Sequence, residues 1–110
     1  MVIQPTLEEL IEQIFALNQA WKQASNVLFT TNAGLAISLK ELKTTLQIRL
    51  LRSYPTQAYL QIDAETESEE PLYGVIISPP LGKYSNAAHL PVRVAQTRLT
   101  PTELTQLVRN

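Results

Sequence analysis

The sequence predicts a two-layer α+β domain, in which helices pack on one face of a small antiparallel sheet in the order α-α-β-β-β-α. Three observations predict this class. Apolar residues recur at helical spacing in the first half of the chain, they alternate with polar residues over 58–64, and a strong helix start signal stands near the C-terminus. The 110 residues suffice for one compact domain, which we expect to span 1–110.

The first helix is predicted over about Leu7–Gln23. Thr6 and Glu9 have the spacing of a capping box, in which each side chain bonds the backbone N–H of the other residue. One apolar stripe follows at helical spacing and consists of Leu7, Leu10, Ile11, Ile14, Leu17 and Trp21. The same period continues toward Leu28, and the Asn-Ala-Gly sequence at 32–34 indicates a stop or turn.

A second helix is predicted over Leu39–Ser53, beginning at a capping box formed by Ser38 and Glu41. Leucines at 39, 42, 46 and 50 line one face. Tyr54 ends the helix, because the residue before a proline avoids helical geometry. Residues 46–50 also alternate strictly between apolar and polar, so an additional strand over 44–52 is the alternative interpretation.

Three strands are predicted in the second half of the chain. The alternating segment 58–64 indicates a half-buried strand, and the apolar run within Leu72–Ser78 is typical of a central strand. These two strands form a hairpin with the acidic connection 66–71 at its tip. Pro79 and Pro80 are expected to end the second strand, and 92–98 is predicted as a weaker third strand.

The last helix is predicted from the sequence Thr100-Pro101-Thr102-Glu103. It supplies a cap, a proline at the first helical position and a glutamate at the third. A helix this short is not stable alone, so we expect its apolar face to dock on the core.

Composition excludes several classes of chemistry. The chain has no cysteine, one histidine and three glycines, so thiol chemistry, a disulfide and a glycine-rich phosphate cradle are excluded. We expect no cofactor, no metal site and no catalytic activity. The net charge of −1 is unlike the basic surface of a nucleic-acid binder. Without a long apolar run or a basic, apolar leader, the chain is expected to avoid membranes and to be cytoplasmic.

The segment 78–91, predicted as a long loop, holds most of the hydrogen-bonding side chains and the only histidine. Its candidates for binding a ligand or partner are Lys83, Tyr84, Ser85, Asn86 and His89. Ser85 and His89 suggest a nucleophile and a base. However, the spacing supplies no orienting carboxylate and there is no Gly-x-Ser-x-Gly sequence, so catalysis is not expected.

Basic residues on the second helix suggest a different architecture. They are Lys40, Lys43, Arg49 and Arg52. With 39–53 as a recognition helix and 58–78 as a wing, the element order resembles a winged helix-turn-helix protein, which implies DNA binding. The acidic hairpin tip and the net charge argue against this alternative, because both repel phosphate.

Apolar and aromatic residues of the first helix are candidates for an interface with a partner or a second copy of the chain. They are Leu10, Ile14, Phe15 and Trp21. The leading hypothesis is therefore a non-enzymatic protein-interaction module, such as a small adaptor, a chaperone-like protein or a regulatory subunit. The alternatives are a winged-helix-like DNA-binding regulator and a small-ligand-binding domain that uses 78–91.

Overall fold

The computed structural model of the chain describes residues 5–25, 33–66 and 68–109. Within these ranges, four helices accompany one three-stranded antiparallel sheet, and the predicted α+β class is confirmed. The elements are α1 (Leu7–Ser25), α2 (Ala33–Ser53), β1 (Ala58–Ile62), β2 (Leu72–Leu81), β3 (Tyr84–Pro91), α3 (Val92–Arg98) and α4 (Pro101–Leu107).

Helix α1 begins at the predicted capping box. The Glu9 backbone N–H donates to Thr6 Oγ1 at 3.1 Å, and the Thr6 N–H donates to Glu9 Oε1 at 3.3 Å. The predicted continuation toward Leu28 and the turn residue Asn32 lie outside the described residues. The rest of that predicted turn is wrong, since 33–34 form the first residues of α2.

Helix α2 is one continuous helix, so the alternative strand over 44–52 is wrong. It begins six residues before the predicted start, which places Ser38 and Glu41 inside the helix, both exposed to solvent. The inward face also differs from the predicted leucine stripe, because Leu42 is 54% exposed. Of the predicted stripe only Leu50 is fully buried, and the buried positions of this helix are Lys43, Thr44, Gln47, Ile48, Leu50 and Leu51.

The sheet is a meander in the order β1-β2-β3, and the predicted β1–β2 hairpin is confirmed. Ala58 pairs with Ile77 and Leu60 with Val75, and all four side chains are buried. Because neighbouring residues of a strand face opposite sides, Tyr59, Gln61 and Ile76 point to the other face and remain partly or fully exposed. The helices therefore cover one face of the sheet, as expected for two layers.

The predicted loop over 78–91 is wrong, because β2 continues to Leu81 and a tight turn at Gly82-Lys83 leads into β3. Gly82 has a φ of 56°, a conformation that glycine adopts without strain. Pro79 and Pro80 are tolerated within β2 because they lie beyond the last β1 pair and in the irregular part of the β2–β3 register. A missing N–H removes no ladder hydrogen bond there.

The segment 92–98 forms helix α3, so the predicted third strand is wrong and β3 takes its place. Its two valines favour a strand, but packing decides the outcome, since Ala95 and Leu99 are both buried at helical spacing. The predicted capping box of α4 is confirmed by mutual bonds between Thr100 and Glu103.

The last described residues lie along the outer edge of β1. Val108 forms a parallel bridge with Leu60, and the Arg109 N–H donates to the Leu60 carbonyl at 2.8 Å. This pairing covers backbone groups that an edge strand would otherwise expose. No helix in the described part of the chain is long and apolar enough to cross a membrane.

Candidate functional site

A pocket of about 400 Å³ opens where the two long helices meet β3. It brings together residues that the sequence assigned to three separate hypotheses. Its lining includes Phe15 and Trp21 from the interface set, Lys40 and Lys43 from the basic set, and Asn86 and His89 from the segment 78–91. The pocket, defined here as the Lys43 pocket, is therefore the candidate site.

Lys43 is the most unusual residue of this pocket. It occupies the inward face of α2 and is only 5% exposed, whereas lysine side chains normally remain in water. Its Nζ donates one hydrogen bond, to Asn18 Oδ1 at 3.3 Å. No Asp or Glu among the described residues forms an ion pair with it. The ammonium is thus buried with little to compensate its charge.

A second cation lies close to Lys43. The Nζ atoms of Lys43 and Lys40 lie 5.1 and 5.4 Å from the centroid of the Trp21 ring, within range of cation–π attraction. Burial lowers the pKa of Lys43 from 10.5 to about 8, and repulsion from Lys40 and Lys22 adds to this effect. The positive charge around Lys43 therefore favours either a bound negative ligand or the neutral form of the Lys43 amine.

The strand wall of the pocket is fixed by Gln47, which is fully buried one helical turn after Lys43. Its Nε2 donates to the carbonyls of Ala87 at 2.8 Å and His89 at 3.0 Å, and so joins α2 to β3. Ala88, between them, has a φ of 64°, a left-handed conformation that is strained for alanine. Asn86 Oδ1 accepts the Ala88 N–H at 3.0 Å and holds this bend.

His89 forms a pair that the sequence did not reveal. Its Nε2 lies 2.7 Å from Asp63 Oδ2, so the expectation that no carboxylate orients this histidine is wrong. The hydrogen bond from His89, and then that from the Glu65 N–H, lower the pKa of Asp63. No sequence signal indicates the pair, because it depends on the sheet register, in which Gly74 lies between Gln61 on β1 and His89 on β3.

The carboxylate at the edge of the pocket also has a partner. Glu70 Oε2 lies 3.6 Å from Arg93 Nε. Neither Asp63 nor Glu70 is therefore paired with Lys43, and no carboxylate of the described residues forms an ion pair with its ammonium.

The remaining candidates of 78–91 do not assemble into a reactive group. Lys83 lies at the exposed hairpin turn with its Nζ 5.3 Å from the Tyr84 ring centroid. Tyr84 stacks on Phe15, with ring centroids 6.0 Å apart. Ser85 is exposed on β3, three residues from Ala88, and forms no bond to His89 in the described structure.

The structure also separates the other predicted groups. Leu10 and Ile14 are fully buried in the core, so the interface prediction is wrong for these two residues, which form no surface. Arg52 is bound to Glu103 at 2.8 Å and to the Arg98 carbonyl at 3.1 Å, whereas Arg49 is exposed. With Lys43 buried, the four basic residues do not share one exposed surface of the kind that contacts DNA phosphates.

The described residues contain no group of three or more acidic or histidine side chains that could hold a metal ion. The lysines that line the Lys43 pocket suit an anion, since ammonium groups bind carboxylates and phosphates through charge-assisted hydrogen bonds. No family model matches the chain, and neither the curated proteins nor the solved structures include a match, so function is inferred from the geometry of the pocket.

Proposed function

We propose that this chain is a non-enzymatic binding domain whose Lys43 pocket holds a small anionic ligand with a flat apolar body. The observation that carries the proposal is the buried ammonium of Lys43, which has no ion-pair partner among the described residues. The proposal takes the domain to act in the cytoplasm, as the sequence predicts.

The burial of Lys43 has a free-energy cost that the folded chain only partly offsets. Removing an ammonium from water without a counter-ion costs several kcal/mol, and the Trp21 ring and one amide oxygen offset only part of it. Perturbed, poorly compensated ionisable groups in a pocket are typical of binding sites. A bound anion would supply the missing negative charge to the three lysines that line the pocket, Lys22, Lys40 and Lys43, and its body would pack against Trp21 and Phe15.

The experiment uses Trp21 as a built-in reporter, because it is the only tryptophan of the chain. Benzoate serves as the probe, since it combines a carboxylate with a flat ring, and benzyl alcohol is the neutral counterpart. We expect a saturable change in tryptophan fluorescence with benzoate, with a Kd of about 1 mM or lower. Benzyl alcohol is expected to give no saturable change.

Two variants test the role of charge. Lys43→Met is expected to raise the Kd for benzoate at least tenfold, because it removes the buried cation and keeps an apolar stem. Lys83→Met removes the same charge at the exposed hairpin turn and is expected to leave the Kd unchanged. Equal weakening by both variants, or no saturable response to benzoate up to about 20 mM, would overturn the proposal.

A second candidate function, a protein-interaction module, is favoured by a different observation. Three large apolar side chains in the first part of α2 are more than half exposed: Leu35 (53%), Ile37 (60%) and Leu42 (54%). Leu35 and Leu42 lie on the same side of the helix, and exposed apolar residues that share a side are typical of surfaces that contact another protein. We propose this side of α2 as the contact surface of an adaptor, a chaperone-like protein or a regulatory subunit, with a second copy of the chain as its contact partner.

A further inference from the structure

The amine of Lys43 lies within an open pocket and yet is shielded from bulk water. The residue is 5% exposed and lines the Lys43 pocket, and its Nζ donates a single hydrogen bond, to Asn18 Oδ1. A primary amine placed in this way can meet a bound ligand but is not surrounded by water. Such an amine is a potential nucleophile once it has lost its proton.

The protonation state favours this reactivity. With the pKa of Lys43 lowered to about 8, roughly one fifth of the amine is neutral at pH 7.4. An ordinary lysine with a pKa of 10.5 is neutral for only about 0.1% of the time at the same pH. The neighbouring Lys40 and Lys22 stay available to hold the negative group of a ligand.

We propose that Lys43 captures the carbonyl group of an anionic aldehyde or keto compound as an imine, while Lys40 and Lys22 hold the ligand's negative group. This inference rests on the proposed function of the pocket and deepens it, because it assigns a carbonyl group to the ligand. The same three lysines then have two roles, since one forms the covalent bond and two supply the charge.

The proposed step conserves atoms and electrons. Neutral Lys43 Nζ attacks the carbonyl carbon, the C=O π bond breaks, and a proton moves from nitrogen to oxygen to give a carbinolamine. Loss of the hydroxyl group and of the second nitrogen proton, together as water, forms the C=N bond. The net change is amine plus carbonyl giving imine plus water, with no oxidant or reductant.

The test uses 4-formylbenzoate as the probe. The matched compound is 4-(hydroxymethyl)benzoate, in which an alcohol replaces the aldehyde and the carboxylate is kept. The full chain is incubated with each compound and sodium cyanoborohydride, whose hydride reduces an imine to a stable secondary amine. Peptide mass spectrometry then measures the rate of modification at Lys22, Lys40, Lys43 and Lys83, the four lysines of the chain. The α-amino group is scored separately, because its ordinary pKa is also near 8.

We expect 4-formylbenzoate to modify Lys43 at least tenfold faster than the exposed Lys83. An excess of 4-(hydroxymethyl)benzoate is expected to protect Lys43 but not Lys83. The Lys43→Arg variant keeps a positive charge but has no primary amine that can form an imine, so the adduct at this position is expected to be lost.

The outcomes separate this inference from the proposed function. If 4-(hydroxymethyl)benzoate gives a saturable Trp21 signal but Lys43 is modified no faster than Lys83, imine capture is overturned and the anion site stands. If neither compound gives a saturable signal and the modification is equal at both lysines, both proposals are overturned.

Discussion

Lys43 is the residue at which packing and charge conflict most strongly. Its position on the inward face of α2 requires burial, and its ammonium opposes burial. A residue that lowers stability in this way commonly marks a place where function takes precedence over stability. The consequence can be measured in the folded chain without knowledge of any ligand.

We predict that Lys43→Met raises the free energy of unfolding at pH 7 by about 1–3 kcal/mol, because methionine fills the same space without the desolvation cost of a charge. Urea denaturation followed by circular dichroism measures the effect. Lys83→Met is the control and is expected to have no effect. A loss of stability in Lys43→Met would show instead that the bonds of the ammonium to Asn18 and Trp21 outweigh its burial.

The same group predicts a dependence on pH. The pKa of Lys43 is about 8 in the folded chain and near its ordinary value of 10.5 in the unfolded chain. Between these values the unfolded chain binds more protons, so the stability of the wild type rises as pH increases from 8 to 10.5. The Lys43→Met variant has no titrating group at this position, so its free energy of unfolding lacks this rise. The difference in free energy of unfolding between the variant and the wild type therefore narrows as pH increases from 8 to 10.5.

The residues of the site could be selected from the sequence, but their grouping could not. Lys43, Trp21 and His89 are conspicuous by type. However, Asn18, the acceptor of the Lys43 hydrogen bond, lies 25 positions away, and Asp63 lies 26 positions from His89. The leucine stripe of α2 was only partly right, because Leu50 is buried and Leu46 packs against the core, whereas Leu42 is exposed. Only the packing of α1, α2 and β3 together determines which side chains line the pocket.

At the scale of elements, the capping-box residue Glu103 of α4 also forms a tertiary contact with α2. Glu103 closes the capping box with Thr100, and its two carboxylate oxygens also accept from Arg52 of α2 at 2.8 and 3.0 Å. The hydrogen bond from Arg52, followed by that from the Thr100 N–H, lowers the pKa of Glu103 to about 2. One side chain thus starts a helix and ties it to α2.

We predict that Glu103→Gln lowers the thermal midpoint by a few degrees at pH 7, because glutamine can close the capping box but carries no charge for Arg52. Since the folded pKa is depressed, the contribution of Glu103 is present above its ordinary pKa of 4.5 and is lost as pH falls toward 2. The thermal midpoints of the wild type and of Glu103→Gln should therefore converge as pH falls from 4.5 toward 2.

The exposed pair of Glu70 and Arg93 provides the matched control for this prediction. Its atoms are 3.6 Å apart, and exposed pairs of this kind contribute little to stability. Glu70→Gln is expected to leave the thermal midpoint unchanged. An equal decrease in both variants would mean that the loss reflects net charge and not the geometry of the Glu103 contact.

Two of the three predicted capping boxes start a helix, whereas the one at Ser38 and Glu41 lies inside α2, and the elements β3 and α3, which depend on distant contacts, were not predicted. Four consecutive residues specify the start of α4, and the capping box of Thr6 and Glu9 specifies the start of α1. In contrast, β3 needs the turn at Gly82-Lys83, the left-handed Ala88 and the donor amide of Gln47, none of which gives a strand pattern in sequence. Helix α3 is likewise decided by the burial of Ala95 against the core.

At the scale of the whole molecule, the helices cover one face of the sheet, while part of α2 keeps apolar side chains in contact with solvent. Leu35 and Leu42 are seven residues apart and so lie on the same side of the helix. Ile62 at the end of β1 is equally exposed, at 52%, but lies on the sheet. These positions allow the proposed contact surface to be tested without disturbing the core.

We predict that the 12.3 kDa chain self-associates through the α2 face, so that its mass by light scattering rises with protein concentration. The double variant Leu35→Gln, Leu42→Gln is expected to remain folded, because exposed side chains contribute little to core packing, and to remain monomeric. Ile62→Gln removes one apolar side chain of similar exposure on the sheet and should self-associate like the wild type. A wild-type mass that stays monomeric at every concentration would contradict self-association, and equal dissociation of both variants would show that the contact is not specific to α2.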